Sequence, residues 1–251
     1  MDTPIFTKSR ITSGLEAARR PDDEGQPTPR VLFSPGALTA GTFPQMCSLY
    51  SRLRPGDFET VVIVESDAAH AGAHIPVSAL DSFETPLGSV PVHDRLRNDF
   101  CDEDDDFYVD DGQTPPSTAL TSQLMMLQAA LGEFSALSIR LLGDEPFLIR
   151  EAAGALDELL ANRSTLVVCC CHLNQGKQAQ FEQIRDRISK GDTGGLMALL
   201  NADPGLMEGA ASFAAGVLLC RNWNLEIRFG SDANPSLIAG TGEYQASAAM
   251  G

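Results

Sequence analysis

The sequence predicts an α/β fold, a three-layer α/β/α sandwich around a central mixed or mostly parallel sheet. Short apolar, β-branched bursts recur along the chain, and long stretches that are polar on one face separate the later ones. Hydrophobic residues make up 43% of 251 positions, enough to bury a sizeable core. Strands that alternate with such helices place helices on both faces of one sheet.

Residues 1–29 read as a flexible N-terminal lead-in. Arg19-Arg20-Pro21-Asp22-Asp23-Glu24-Gly25, then Pro27 and Pro29, is a polar, turn-rich composition. A single α/β domain is expected over 30–251. Residues 30–34 form a short apolar run that stops at Pro35-Gly36, the pattern of a buried strand and a turn. Apolar residues at 43, 46, 49, 50 and 53 follow the period of a helix. Residues 60–64, 136–142 and 165–171 read as further strands. Residues 117–131, 145–160 and 177–189 read as crossover helices. Residues 209–220 form a small-residue helix of the buried type, and 225–229 and 244–249 read as closing strands.

Charge narrows the function classes. Eighteen Lys and Arg stand against 34 Asp and Glu, a net charge of −16. A surface this acidic repels phosphate backbones and anionic headgroups, so neither nucleic acid nor a membrane is an expected partner. Aromatics are only 6%, too few for a base-stacking platform. No apolar run approaches the roughly 18 residues of a membrane span. The N-terminus shows no secretory signal pattern. Six cysteines, three of them consecutive at Cys169-Cys170-Cys171, do not resemble a disulfide framework. Reduced thiols and a cytoplasmic location are the expectation.

Four residue groups are chemically conspicuous. The acidic run at 102–106 lacks the central Gly and terminal Glu of an EF-hand and reads as a solvated loop. His93 reads as a surface residue at a helix start. His70 and His74 lie in a loop after a strand, where α/β folds place ligands. Cys169, Cys170, Cys171 and His172 offer a thiolate beside an imidazole, or three small hydrophobes in a central strand.

Glu84-Thr85-Pro86-Leu87-Gly88 resembles the T-P-L-G segment of the MEMO family (AmmeMemoRadiSam system protein B-like), which is related to the class III extradiol ring-cleavage dioxygenases. Further segments agree in order. Ser34-Pro35-Gly36-Ala37 resembles the family's P-H-A-G-Y turn. Residues 61–66 and Asp67 stand where the family has a strand ending G-P-S-H. Ser117-Thr118-Ala119-Leu120-Thr121 is similar to E-H-S-L-E. Residues 166–171 followed by Asn174 resemble a strand ending S-S-D-x-x-H. Glu208-Gly209 resembles the family's C-G helix start, and Tyr244-Gln245-Ala246-Ser247-Ala248 its closing strand.

The family holds a metal with two His and one Cys, and the extradiol enzymes use two His and a carboxylate. On this resemblance the ligand positions fall on Gly36, Ala68 and Glu208, the further active-site histidines on Thr118 and Asn174, and an Asp on Cys171. Gly36 and Ala68 cannot ligate a metal, and Thr and Asn cannot replace an imidazole that gains and loses a proton near neutrality. The resemblance therefore implies the fold, together with degenerate metal-site motifs and a possible pseudoenzyme. The expected function is binding, of a small molecule or a protein partner, with no cofactor. Gly36, Ala68, Thr118, Cys171, His172 and Asn174 are the candidate pocket residues. The rival is a non-haem-iron-dependent oxidoreductase, dioxygenase-like, with a metal site rebuilt near His70 and Glu208. A weaker third is cysteine chemistry at Cys171-His172.

Overall fold

A computed structural model describes residues 6–21, 25–67, 72, 74–103, 106–110, 116–161, 163–230 and 240–244. The elements run in order α1 (Lys8–Ala18), β1 (Val31–Ser34), α2 (Phe43–Tyr50), β2 (Thr60–Asp67) and β3 (Ile75–Ser78). A hairpin of β4 (Ser82–Thr85) and β5 (Gly88–Pro91) follows, then α3 (Asp94–Glu103), β6 (Phe107–Asp110), α4 (Thr118–Ala130) and β7 (Ser135–Leu142). The rest comprises α5 (Pro146–Leu160), β8 (Thr165–Cys170), β9 (His172–Leu173), α6 (Gln178–Ser189), α7 (Thr193–Ala202), β10 (Met207–Glu208), α8 (Ala210–Asn222), β11 (Leu225–Phe229) and β12 (Gly240–Tyr244).

Eight of these strands form one sheet in the order β11-β12-β1-β8-β2-β7-β3-β6. Its centre, β1-β8-β2-β7, is parallel, and antiparallel pairs flank it, so the sheet is mixed. Central strands buried on both faces need continuous apolar runs. Val61–Val64 and Leu166–Cys170 supply them, every residue lying under 6% exposed. One face is covered by α1, α2 and α4, which pack on one another; the other carries α5 and α8, with α7 against α8. This is the α/β/α sandwich that the alternating pattern predicts.

Three elements differ from expectation. The stretch at 8–18 is a helix and not an extended lead-in. The Thr7 hydroxyl accepts from the Arg10 amide, and Ile11 and Leu15, one helical turn apart, are buried. Phe6 meets Phe43 of α2 with ring centroids 5.3 Å apart. Two anchors at i and i+4 dock this helix despite its polar remainder. The closing strand β12 begins at Gly240, ahead of the expected stretch, and 245–249 lie outside the described residues. The acidic run is divided: Asp102 and Glu103 finish α3, Asp106 precedes β6, and 104–105 are outside the described residues.

The conspicuous T-P-L-G phrase forms the β4–β5 turn. Thr85 Oγ1 donates within the turn to the Gly88 carbonyl at 2.8 Å and lies 2.7 Å from Gln128 Oε1 on α4. Gly88 has φ +123°, a conformation that a side chain disfavours. The phrase therefore does structural work: it fixes a hairpin against α4.

Candidate functional site

Because β1, β8 and β2 are parallel neighbours in register, their carboxyl ends, Ser34, Cys170 and Asp67, lie together. Open α/β sheets place ligands beyond such ends. A cavity of about 380 Å³ opens there. Its walls come from the turn after β1 (Gly36, Ala37, Thr39, Thr42), the end of β2 (Glu65, Ser66) and Ala119 of α4. Cys170, Cys171 and His172, together with Glu208-Gly209, complete it.

Side chains on neighbouring helices hold the first wall in place. The Gln123 amide donates to the Pro35 and Gly36 carbonyls at 2.8 and 2.9 Å, and Tyr50 donates to the Gln123 side-chain oxygen. The Leu38 amide donates to Ser122 Oγ at 2.9 Å, and Thr42 Oγ1 donates to the Ala37 carbonyl at 2.6 Å. The opposite wall is a short ladder in which His172 of β9 and Glu208 of β10 are register partners. Gly209 follows with φ +76°. A Cβ there would sit 2.2 Å from the Cys170 carbonyl oxygen, so only glycine lets α8 begin this close to β8.

Glu65 is the residue that sequence reasoning missed. It is 6% exposed and lines the cavity. Ser117 donates to one carboxylate oxygen, and Ser138 donates to the other at 3.4 Å. Burial pushes its carboxyl above the ordinary glutamate range, against the lowering effects of Ser117, Arg140, Ser138 and the Leu120 amide. The available signal was an acid continuing a β-branched run, Val61-Val62-Ile63-Val64-Glu65. A carboxyl in a central strand is rare without a partner or a role.

Of the predicted pocket residues, Gly36, Cys171 and His172 meet at this cavity, joined by Glu208 of the rival metal-site reading. Thr118 and Asn174 are not among its walls. Thr118 sits in the first turn of α4, where its carbonyl accepts from Ser122 at 2.6 Å, and the Asn174 amide donates to the Gly205 carbonyl at 3.0 Å. Ala68 and His70 lie outside the described residues. His93 starts α3, its Nδ1 accepting from the Leu96 amide at 3.1 Å, and His74 Nδ1 stands 3.9 Å from Asp106.

The three strand cysteines are packed in the core, as the hydrophobic reading expects. Cys169, Cys170 and Cys171 are each at most 5% exposed. Burial pushes the Cys169 thiol up to about 12 and the Cys170 and Cys171 thiols well above the ordinary range. A catalytic thiolate needs the opposite shift.

A family model described as Memo-like protein matches residues 7–214. The chain belongs to the Memo-like family. Its relatives include MEMO1 family proteins of Thermotoga petrophila, 28% identical over 157 residues, and of Nitrosopumilus maritimus, 22% identical over 157 residues. These matches cover 61% and 62% of this chain, but only 53% and 57% of the relatives. The chain thus matches little more than half of their length. The crystal structure of an uncharacterized protein from Escherichia coli K12 shares the fold, with a TM-score of 0.53 and 11% identity over 86% of this chain and 99% of that one.

On the family resemblance the metal positions fall on Gly36, Ala68 and Glu208, of which Gly36 and Glu208 line the cavity and Ala68 lies outside the described residues. Among the described residues, no three His, Cys, Asp or Glu side chains come together as a metal would require. Gly36 brings no side-chain donor to the cavity wall, and burial raises the Cys171 thiol well above its ordinary range. Nor is any helix of the described residues long and apolar enough to cross a membrane.

Proposed function

We propose that this Memo-like protein binds a small molecule in the cavity at the carboxyl ends of β1, β2 and β8, without the family's metal. The observation that carries this reading is a cavity of about 380 Å³ with several hydroxyl and carboxyl groups and, among the described residues, no assembled ligand triad. Ligand sites combine an apolar enclosure with a few placed polar groups. Here Ala37 and Ala119 supply the former, and Thr39, Thr42, Ser66 and His172 the latter. Buried polar groups that face such a space gain from a ligand that pairs with them.

Elemental analysis of untagged protein tests the metal half. Well under one equivalent of iron, zinc or copper is expected. Stoichiometric metal lost in both His70→Ala and Glu208→Ala would establish the non-haem-iron oxidoreductase reading instead. A thermal-shift screen of small molecules tests the binding half. Hits should disappear when Ala119→Trp fills the cavity; no hit at any concentration would leave a protein partner as the bound species.

A further inference from the structure

We propose that the cavity selects an organic cation, a primary ammonium group that seats against Glu65. This inference deepens the small-molecule reading above and rests on it. Two acidic residues line the cavity, Glu65 at its base and Glu208 at its rim, and none of the lining residues is Lys or Arg. The whole chain carries −16, so the long-range field also favours a cation.

Glu65 has the geometry of a receptor group. Ser117 holds one oxygen and Ser138 the other, which fixes the carboxyl plane. The charged and titratable groups acting on it are Arg140 from β7 and Cys170 from β8, and hydrogen bonds come from Ser138, from Ser117, which caps α4, and from the Leu120 amide of α4. Arg140 stands opposite Glu65 in the strand register, yet its charge lowers the carboxyl less than burial raises it. A buried carboxyl that Arg140 only partly compensates leaves room for a second cation. An ammonium group of a ligand supplies it, with Ser66 and Thr39 as further neutral partners on the cavity wall.

Proton linkage follows with a definite sign. In the free protein, burial favours neutral Glu65, and an ammonium ligand favours the carboxylate. Binding therefore releases protons from Glu65, and affinity for an ammonium ligand rises as pH rises above the ordinary glutamate range. A neutral ligand accepting a hydrogen bond from protonated Glu65 shows the opposite trend.

The test uses the full chain and two matched probe series: methylammonium, butylammonium and benzylammonium, against methanol, butanol and benzyl alcohol. Calorimetric titration in two buffers of different ionisation enthalpy reads affinity and proton release together. The expected result is that the ammonium members bind about tenfold or more tightly than their alcohols, with proton release. Glu65→Gln should abolish the preference, whereas Glu208→Gln, at the rim, should weaken it only a few-fold. Binding without a charge preference, or a preference unchanged in Glu65→Gln, would overturn the cation assignment and leave the cavity reading standing. Failure of both series to bind would overturn both. Circular dichroism of Glu65→Gln confirms that the variant is folded.

Discussion

The three consecutive cysteines show how one residue type takes its chemistry from its surroundings. Successive side chains of a strand point to opposite faces. Cys169 faces α8, where its sulfur lies 2.5 Å from the position of a Cβ on Gly216, and Cys170 faces the side that holds Glu65 and Tyr50. Neither environment offers a cation to stabilise a thiolate, and burial disfavours the charge in both. Low reactivity follows. At about pH 8, iodoacetamide should modify native Cys101 first, because it alone of the six is only partly buried. Cys47, whose thiol burial pushes up to about 11, should join the strand cysteines in reacting only on unfolding. Mass spectrometry of timed aliquots checks this order. Rapid labelling of Cys171 in the folded protein would instead restore the cysteine chemistry that its neighbour His172 suggests.

At the scale of elements, α1 tests how much a short, mostly polar helix contributes. Ile11 is fully buried and Leu15 is 4% exposed, and the helix packs on α2 and α4, the two helices whose Tyr50 and Gln123 hold the turn at Gly36. Ile11→Ala should cost about 2–4 kcal/mol of unfolding free energy, as core truncations of this size do. Urea unfolding measures it, and a loss under about 0.5 kcal/mol would mean that α1 is dispensable. The same helix marks the limit of what the sequence makes legible. Long one-sided patterns, such as Pro146–Leu160, and β-branched runs, such as Thr165–Cys170, are readable because each carries many apolar residues at one period. Helix α1 carries two anchors, and β3 and β6 have four residues each, too few for a period to emerge. The site is legible where it lies at strand ends, as at Gly36, Cys171 and His172. Glu65 was not, because its significance depends on Ser117 and Ser138, which are distant in sequence and join it only through the fold.

At the scale of the whole molecule, the charge imbalance acts on stability as well as on ligand choice. A net charge of −16 repels itself most in the compact state and at low ionic strength, where the screening length is longest. Two acids, buried Glu65 and partly buried Asp144, act in the same direction. Burial raises the carboxyls of Glu65 and Asp144 above their ordinary values. Stability from a group raised in the folded state is fully present below its unfolded value and is lost as pH rises through the folded one. Both effects therefore predict a protein that is more stable in mild acid than at about pH 8, and salt separates them. Sodium chloride at about 0.5 M screens surface repulsion but leaves the desolvation of Glu65 in place. Scanning calorimetry at about pH 5.5 and 8, with and without this salt, should show a higher Tm in mild acid, and at pH 8 a partial recovery on adding salt. Each 1 kcal/mol regained should appear as about 2–4 °C. In Glu65→Gln the acid–base difference that survives in high salt should shrink, since the variant has no proton to lose there. If that salt-resistant difference persisted unchanged, the buried carboxyl would not be its source, and Asp144, which accepts the Ala211 amide at the start of α8, would be the group to replace next.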